Sequence, residues 1–177
     1  MCYIKDLFLT KNNVKNRSDF DCLKVLCFLF LNVVNAQPRQ GQPAAEIALP
    51  AVGGDTLLLS SLKGKVVLLD FWASWCGPCR NSNRVLTKLY PKYKNKGFEI
   101  LGVSLDDEQA KWKTAITKDK ITWLQVNDPG GWEAKTAMMW NISAIPTSFL
   151  IDKEGKLVAM DLRGKELEKA LKYLIDK

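Results

Sequence analysis

The chain has 177 residues, a formal net charge of +7, 47% hydrophobic residues and no histidine. This length allows one domain or at most two, and the missing histidine excludes Ser-His and Cys-His catalysis, histidine metal sites and histidine pH switches. The basic residues are spread along the chain rather than clustered, which favours a solvated surface and no nucleic-acid partner.

The first 36 residues predict a secretory signal peptide. A polar, partly basic segment precedes an apolar core at 23–34, and the small residue Ala36 stands at the expected cleavage position. This core is shorter than the roughly 20 residues of a transmembrane helix. Because the polar start is unusually long, a downstream start or an uncleaved anchor stays open as an alternative. We expect a short linker at 37–44 and one folded domain at 45–177.

The domain sequence alternates strands with helices. In chain order it first predicts a hairpin within 45–62 that turns at Gly53-Gly54, and then a strand at 66–71 that is buried on both faces. A helix begins at Cys76 and is kinked or ended by Pro91, a strand follows at 99–104, and Asp106 or Asp107 caps the next helix. The remaining predicted elements are a strand at 123–126, a helix at 133–140, strands at 147–151 and 157–161, and a final helix. This order predicts an α/β fold with a mixed central sheet flanked by helices. The tryptophans outside the cysteine region are expected to fill the core or cover the helical insert: Trp112, Trp123, Trp132 and Trp140.

The cysteine distribution agrees with export. Three of the five cysteines, Cys2, Cys22 and Cys27, fall in the segment expected to be removed, which leaves Cys76 and Cys79. A single CxxC pair with no unpaired thiol is what an oxidising compartment permits. A zinc site is the structural alternative for a CxxC pair, but it needs four ligands, and the sequence offers no second pair and no histidine. We therefore expect neither a metal nor a cofactor.

The CxxC pair has the features of a redox site. Cys76 follows the apolar strand at the point where a helix begins, and Pro78 suits an early helical position. The helix N-terminus favours a thiolate, so Cys76 is the expected nucleophile, and Cys79 lies one turn further on, where it resolves a mixed disulfide. A ring closed only over Gly77 and Pro78 adds little stability. A Cys76–Cys79 disulfide is therefore expected to open and close rather than to brace the fold.

Three side chains near the pair have expected roles. Asp70 ends the apolar run six residues before Cys76, and burial there raises the pKa of a carboxyl group. We expect Asp70 to exchange a proton with Cys79. Trp75, directly before Cys76, is placed to shield the disulfide and form a contact surface, whereas Trp72 is expected in the core.

Two motifs resemble a known family. Residues 70–79 read Asp-Phe-Trp-Ala-Ser-Trp-Cys-Gly-Pro-Cys and resemble the thioredoxin active site. Residues 144–147 read Ala-Ile-Pro-Thr and resemble the thioredoxin loop whose cis-proline packs beside the disulfide. The resemblance runs from about residue 42 to the C-terminus. The segment at 96–104 reads Lys-Gly-Phe-Glu-Ile-Leu-Gly-Val-Ser. This segment, and the long stretch between Cys79 and Pro146, are similar to the exported TlpA/ResA-type branch.

The resemblance implies a thioredoxin-like fold with an N-terminal β-hairpin and a central insert. It also implies a cis peptide before Pro146 that leaves the Ile145 backbone free to pair with an extended substrate segment. Substrate contacts are expected at Trp75, Gly77, Pro78 and Ile145. The sequence departs from the branch at Ser82 and Arg84, where glutamate and proline are common, so Asp70 is expected to take over the proton chemistry.

The expected activity is reduction of disulfides in exported proteins at an extracytoplasmic site, with a membrane thiol reductase as electron donor. Apocytochrome c cysteines are one substrate class that the branch resemblance implies, and a general reductase or isomerase is equally compatible. We expect a monomer. A thiol peroxidase is a second enzyme class, although residues 73–76 read Ala-Ser-Trp-Cys rather than Thr-x-x-Cys. A binding module with a static disulfide is the third possibility.

Overall fold

A computed structural model describes residues 39–177. The expected signal peptide at 1–36, with its anchor alternative, lies outside these residues, as does the start of the expected linker at 37–44. The domain boundaries therefore stay predictions. Among residues 39–177, no helix combines the length and the apolar character needed to cross a bilayer.

Strands and helices alternate through most of the described part of the chain. The strands are β1 Ala48–Pro50, β2 Thr56–Leu58, β3 Val66–Trp72, β4 Phe98–Ser104, β5 Leu124–Asn127, β6 Thr147–Ile151 and β7 Leu157–Met160. The helices are α1 Gly77–Tyr93, α2 Gln109–Lys118, α3 Lys135–Met139 and α4 Gly164–Asp176. Short 3-10 turns lie at Leu59–Leu62, Lys94–Lys96 and Gly131–Glu133.

The central sheet is mixed, as predicted, and β3 lies at its centre. The strand order is β5-β4-β3-β6-β7, with β4 parallel to β3 and to β5, and β6 antiparallel to β3 and to β7. Strands β1 and β2 form the predicted hairpin as a separate two-stranded sheet. Because β3 and β6 run in opposite directions, Phe71 near the end of β3 pairs with Thr147 at the start of β6. The segment after β3 and the segment before β6 therefore meet at the same end of the central strands.

Strand β3 is buried on both faces, as its unbroken apolar sequence predicts. Successive side chains of a strand point to opposite faces, so β3 contributes to two cores. The core shared with α1, α2 and α4 includes Val66, Leu68 and Trp72, and the core shared with the hairpin and α3 includes Val67, Leu69 and Phe71. By the same alternation, Asp70 lies on the α1 side of the sheet.

The prediction that Asp106 or Asp107 caps the helix after β4 is wrong. Helix α2 begins at Gln109, and the residue before it, Glu108, makes no side-chain cap hydrogen bond. Asp106 instead accepts hydrogen bonds from Ser74, two residues before Cys76 in the sequence. Tertiary hydrogen bonds to the loop after β3 compete here with local capping.

Other differences from the sequence prediction are small. Helix α1 ends at Tyr93, so Pro91 lies within its last turn. The predicted helix at 133–140 is divided into a 3-10 turn and α3, because Ala134 between them has ψ of 138°, outside the helical region.

Most of the tryptophans occupy the core, as predicted. The Trp72 Nε1 donates a hydrogen bond to the Gln125 Oε1 at 2.9 Å. Gly102 leaves room for this contact, since a Cβ there would lie 2.2 Å from the Gln125 Nε2. Three further tryptophans are buried: Trp112, Trp123 and Trp140. Trp132 differs from them, with 48% of its surface exposed.

Candidate active site

Cys76 and Cys79 form a disulfide at the N-terminus of α1. Cys76 is the N-cap residue, and its sulfur accepts a hydrogen bond from the Cys79 N–H at 3.1 Å. Pro78 fits the first turn because that turn offers no intrahelical partner for the N–H that proline lacks. The first turn of α1 carries no acidic side chain. The backbone N–H groups and the helix dipole favour a thiolate at Cys76, and no acidic side chain within that turn opposes them.

The loop before β6 faces this disulfide. The Ile145–Pro146 peptide bond is cis. The Cys76 Sγ lies 3.8 Å from the Ile145 carbonyl oxygen, and the Thr147 Oγ1 donates to the Ala144 carbonyl at 2.8 Å. The antiparallel pairing of β3 and β6 thus brings the two motifs found in the sequence into contact.

Asp70 is a buried carboxyl group in the middle of the sheet, 3% exposed and paired in register with Gly102 and Ser148. Burial raises its pKa to about 7, and the nearby Arg163 guanidinium opposes this effect in part. An open cavity of about 780 Å³ has Asp70 and Pro78 in its wall, together with residues of α1 and α4. Asp70 therefore borders a cavity that opens to solvent.

Ser74 is fixed by Asp106, which lies two residues after the end of β4. The Ser74 N–H donates to the Asp106 Oδ2 at 2.8 Å, and the Ser74 hydroxyl donates to the Asp106 Oδ1 at 2.5 Å. The Ser104 hydroxyl also donates to the Asp106 Oδ2, at 2.7 Å. Asp106 is 1% exposed, and these hydrogen bonds give both of its buried carboxyl oxygens a partner. The loop that leads into Cys76 is therefore tied to the end of β4.

Arg80 fixes the same loop from the other side. Its Nη1 donates to the Ser74 carbonyl at 3.1 Å, and its Nε and Nη2 both donate to Asp119 after α2, the latter at 2.7 Å. The Asn83 Nδ2 also donates to Asp119, at 3.3 Å. Burial of Asp119 works against its ionised form, but the hydrogen bonds from Arg80 and Asn83 are stronger in sum and lower its pKa.

Trp75 lies beside a second exposed tryptophan. Trp75 is 58% exposed and Trp132 is 48% exposed. Their ring centroids are 6.3 Å apart, with an angle of 68° between the planes. This edge-to-face geometry is one that aromatic pairs prefer.

The profile of the AhpC/TSA family matches residues 40–160, more than half of the chain. The chain belongs to the AhpC/TSA family. The thiol-disulfide oxidoreductase ResA of Bacillus thuringiensis subsp. konkukian is 33% identical over 137 residues, which cover 77% of each chain. The thiol-disulfide oxidoreductase ResA of Oceanobacillus iheyensis is 30% identical over 175 residues, which cover 94% of this chain and 90% of its own.

Solved structures of similar proteins have the thioredoxin-like fold of this AhpC/TSA member. A thiol-disulfide oxidoreductase from Bacteroides fragilis is 40% identical with a TM-score of 0.70, over 75% of this chain and 99% of its own. The thioredoxin domain of a thiol-disulfide oxidoreductase from Bacteroides vulgatus is 38% identical with a TM-score of 0.70, over 77% and 98% of the two chains. The predicted fold is confirmed, and the protein is a thiol-disulfide oxidoreductase of the thioredoxin type.

The structure of this AhpC/TSA oxidoreductase gathers most sequence-predicted site residues at one end of the central strands β3 and β6. They are Trp75, Cys76, Gly77, Pro78, Cys79, Ile145 and Pro146, with Asp70 further inside the sheet. Their roles stay predictions. The sequence reasoning missed four groups that surround them: Asp106, Arg80, Asp119 and Trp132. Asp106, Asp119 and Trp132 reach the site through contacts between residues far apart in the chain, and Asp119 holds Arg80 in the same way, so the sequence carries no local signal for them.

Proposed function

We propose that this oxidoreductase reduces disulfides of other proteins through the Cys76–Cys79 pair. The observation that carries the proposal is the position of the pair at the N-terminus of α1, with the Cys76 sulfur toward the Ile145 carbonyl. Cys76 is 6% exposed and Cys79 is 1% exposed, so Cys76 is the more accessible sulfur. Helix N-termini stabilise thiolates, and the thiolate is the attacking form.

The reaction is two successive thiol–disulfide exchanges. The reduced Cys76 thiolate attacks one sulfur of the substrate disulfide, which forms a mixed disulfide and releases one substrate thiolate. Cys79 then gives up its proton and attacks the Cys76 sulfur, which closes the Cys76–Cys79 disulfide and releases the second substrate thiolate. Two electrons pass from the dithiol to the substrate. Asp70 is the proposed acceptor of the Cys79 proton, since a pKa of about 7 suits proton exchange at neutral pH.

The proposed substrate site surrounds Cys76. An extended substrate segment pairs with the backbone at Ile145, beside the cis-proline Pro146, in the manner of a peptide added at a strand edge. Trp75 supplies an exposed aromatic surface next to the sulfur. Gly77 and Pro78 complete the proposed substrate contacts at the helix start.

The proposed location is extracytoplasmic, in the periplasm or at the outer face of the inner membrane. The signal-like segment at 1–36 and the single CxxC pair of the remaining chain support this location. The proposed partners are disulfide-containing exported proteins and a membrane thiol reductase that restores the dithiol. Apocytochrome c, in cytochrome c biogenesis, is one proposed substrate class. The protein is proposed to act as a monomer, without nucleic acid or cofactor.

The reduction potential of the Cys76–Cys79 pair tests the direction of electron flow. It is measured from tryptophan fluorescence in dithiothreitol or glutathione buffers, because Trp75 adjoins the disulfide. We expect a reduction potential of roughly −270 mV, the value for thioredoxin. A value above about −180 mV would make the protein an oxidant or isomerase and overturn the proposed direction.

Single cysteine variants test the order of attack. Cys79→Ser should accumulate a mixed disulfide with a protein substrate, since its resolving thiol is missing, whereas Cys76→Ser should form none. Hydroperoxide consumption by the wild-type protein is the control for the peroxidase alternative. Appreciable consumption without a disulfide substrate would favour that alternative, and two unreactive thiols after mild reduction would favour a static binding module.

A further inference from the structure

The exposed pair Trp75 and Trp132 is built by two separate loops. Trp75 lies between β3 and α1, directly before Cys76, and Trp132 lies in the 3-10 turn Gly131–Glu133 after β5. The rings meet edge to face with centroids 6.3 Å apart, and each keeps about half of its surface exposed. Because half of each ring is exposed, contact with a partner would bury apolar surface of both tryptophans.

Adjacent carboxyl groups hold both loops. Asp106 accepts two hydrogen bonds from Ser74, the residue before Trp75. Asp107 accepts a hydrogen bond from the Gly130 N–H at 2.7 Å, two residues before Trp132. The segment directly after β4, through Asp106 and Asp107, therefore fixes the backbone of both loops that carry the tryptophans.

The Trp132 turn also depends on two glycines. Gly130 and Gly131 have φ of 115° and 56°, a region that L side chains rarely adopt. A Cβ at Gly130 would lie 3.2 Å from the Ala134 N. This tight backbone and the Asp107 hydrogen bond present Trp132 in one orientation, so the aromatic pair is organised before any partner arrives.

We propose that Trp75 and Trp132 together form a docking surface for a large apolar or aromatic side chain that flanks the cysteine of a polypeptide substrate. This inference rests on the proposed function, because the substrate is the chain that becomes joined to Cys76. The occupant follows from covalent geometry: a chain bonded to the Cys76 sulfur is held within a few residues of Trp75, the preceding residue. Trp75 adjoins the sulfur, and Trp132 is the specificity-determining residue of the pair.

The proposal predicts a preference among peptide disulfides. Two peptides differ only in the residue beside the cysteine, leucine in one and serine in the other. The second-order rate constant for oxidation of the reduced protein is measured for each by rapid quenching and thiol alkylation. We expect wild type to react about fivefold to tenfold faster with the leucine peptide. This ratio corresponds to a contact of about 1 to 1.4 kcal/mol between the leucine side chain and the tryptophan pair.

Variants assign this preference to Trp132. Trp132→Ala should reduce the leucine-to-serine rate ratio to near one, and Trp132→Phe should keep most of it, because phenylalanine also offers an aromatic face. The matched control is Tyr173→Ala on α4, which removes a 68% exposed aromatic ring from outside the site and should leave the ratio unchanged. Circular dichroism checks that each variant is folded, and the ratio within one variant cancels any loss of active protein.

Hydroxyethyl disulfide separates the two proposals, since it has no flanking side chain. If wild type fails to oxidise with this compound, the proposed thiol–disulfide exchange itself fails. If wild type reacts with it but shows no leucine preference, or if Trp132→Ala keeps that preference, the docking surface is overturned. A change in oligomeric state of Trp132→Ala in sedimentation, with the preference intact, would assign the pair to a contact between two copies and would also overturn the proposal.

Discussion

The Arg163 Nη2 donates a hydrogen bond of 3.0 Å to the carbonyl oxygen of Pro146. Arg163 directly precedes α4, so this bond joins the start of the last helix to the cis-proline loop. Arg163 also lines the cavity that has Asp70 in its wall. One side chain therefore contacts the loop that faces Cys76 and acts on the buried carboxyl group.

Substitutions at Arg163 and Asp161 should move the pKa of Asp70 in opposite directions. Burial is the main reason for the raised pKa, Arg163 lowers it and Asp161 raises it. Arg163→Gln should therefore raise the pKa of Asp70 further, and Asp161→Asn should lower it while keeping an oxygen for the Ser148 N–H. Infrared or NMR titration of the Asp70 carboxyl group in the oxidised protein measures both. Shifts in the same direction would show that loop rearrangement outweighs charge.

Asp70→Asn should stabilise the oxidised protein at alkaline pH. The pKa of Asp70 is raised from 3.8 to about 7 in the folded state, so between these values the folded state holds a proton that the unfolded state has lost. Wild-type stability should therefore fall as pH rises from about 4 to about 7, by up to roughly 4 kcal/mol. Asp70→Asn should remove this fall. Urea unfolding at about pH 4, 6 and 8 measures the free energy of unfolding of both proteins. The same dependence on pH in wild type and Asp70→Asn would contradict the prediction.

Asp106→Ala should loosen the loop that leads into Cys76. The substitution leaves the Ser74 N–H and two hydroxyl groups without their acceptor, which costs on the order of 1 to 3 kcal/mol for a buried group. Chemical denaturation measures the loss, and the rate with hydroxyethyl disulfide measures the effect on the site. The matched control is Glu108→Gln, which removes an exposed ion pair with Lys111 and should change stability by less than about 1 kcal/mol. Equal losses in the two variants would argue against the loop contact.

Arg80→Lys should be nearly as disruptive as Arg80→Ala. Arg80 binds Asp119 through two nitrogens and the Ser74 carbonyl through a third, and a lysine ammonium cannot reproduce this planar fork. The lowered pKa of Asp119 means that its stabilising effect is present at neutral pH and is lost as pH falls through that pKa. Both variants should therefore lose more stability at pH 7 than at pH 3. Thermal melts at the two pH values test this, and full rescue by lysine would contradict it.

The sequence could predict the parts of the site that lie on one element or one motif. Cys76, Gly77, Pro78 and Cys79 occupy the start of a single helix, and the burial of Asp70 follows from the apolar strand around it. These features depend on local periodicity and on helix termini, which short stretches of sequence encode.

Contacts between distant elements could not be predicted in this way. Asp106 has the local pattern of a helix cap, but its carboxylate instead accepts hydrogen bonds from Ser74, 32 positions earlier in the chain. Trp132 is a large apolar residue of the kind expected in the core, yet it follows two glycines with positive φ and keeps 48% of its surface exposed. In both cases tertiary packing decides between alternatives that have similar local energies.

The opposite directions of β3 and β6 have a consequence for how the protein matures. The two cysteines are three residues apart, so their oxidation needs no long-range structure. The Ile145 carbonyl reaches Cys76 only after Phe71 pairs with Thr147, which closes a loop of more than seventy residues. During synthesis, the sulfurs therefore become available before the proposed substrate surface exists. A chain released before β6 has emerged would carry a reactive pair without recognition.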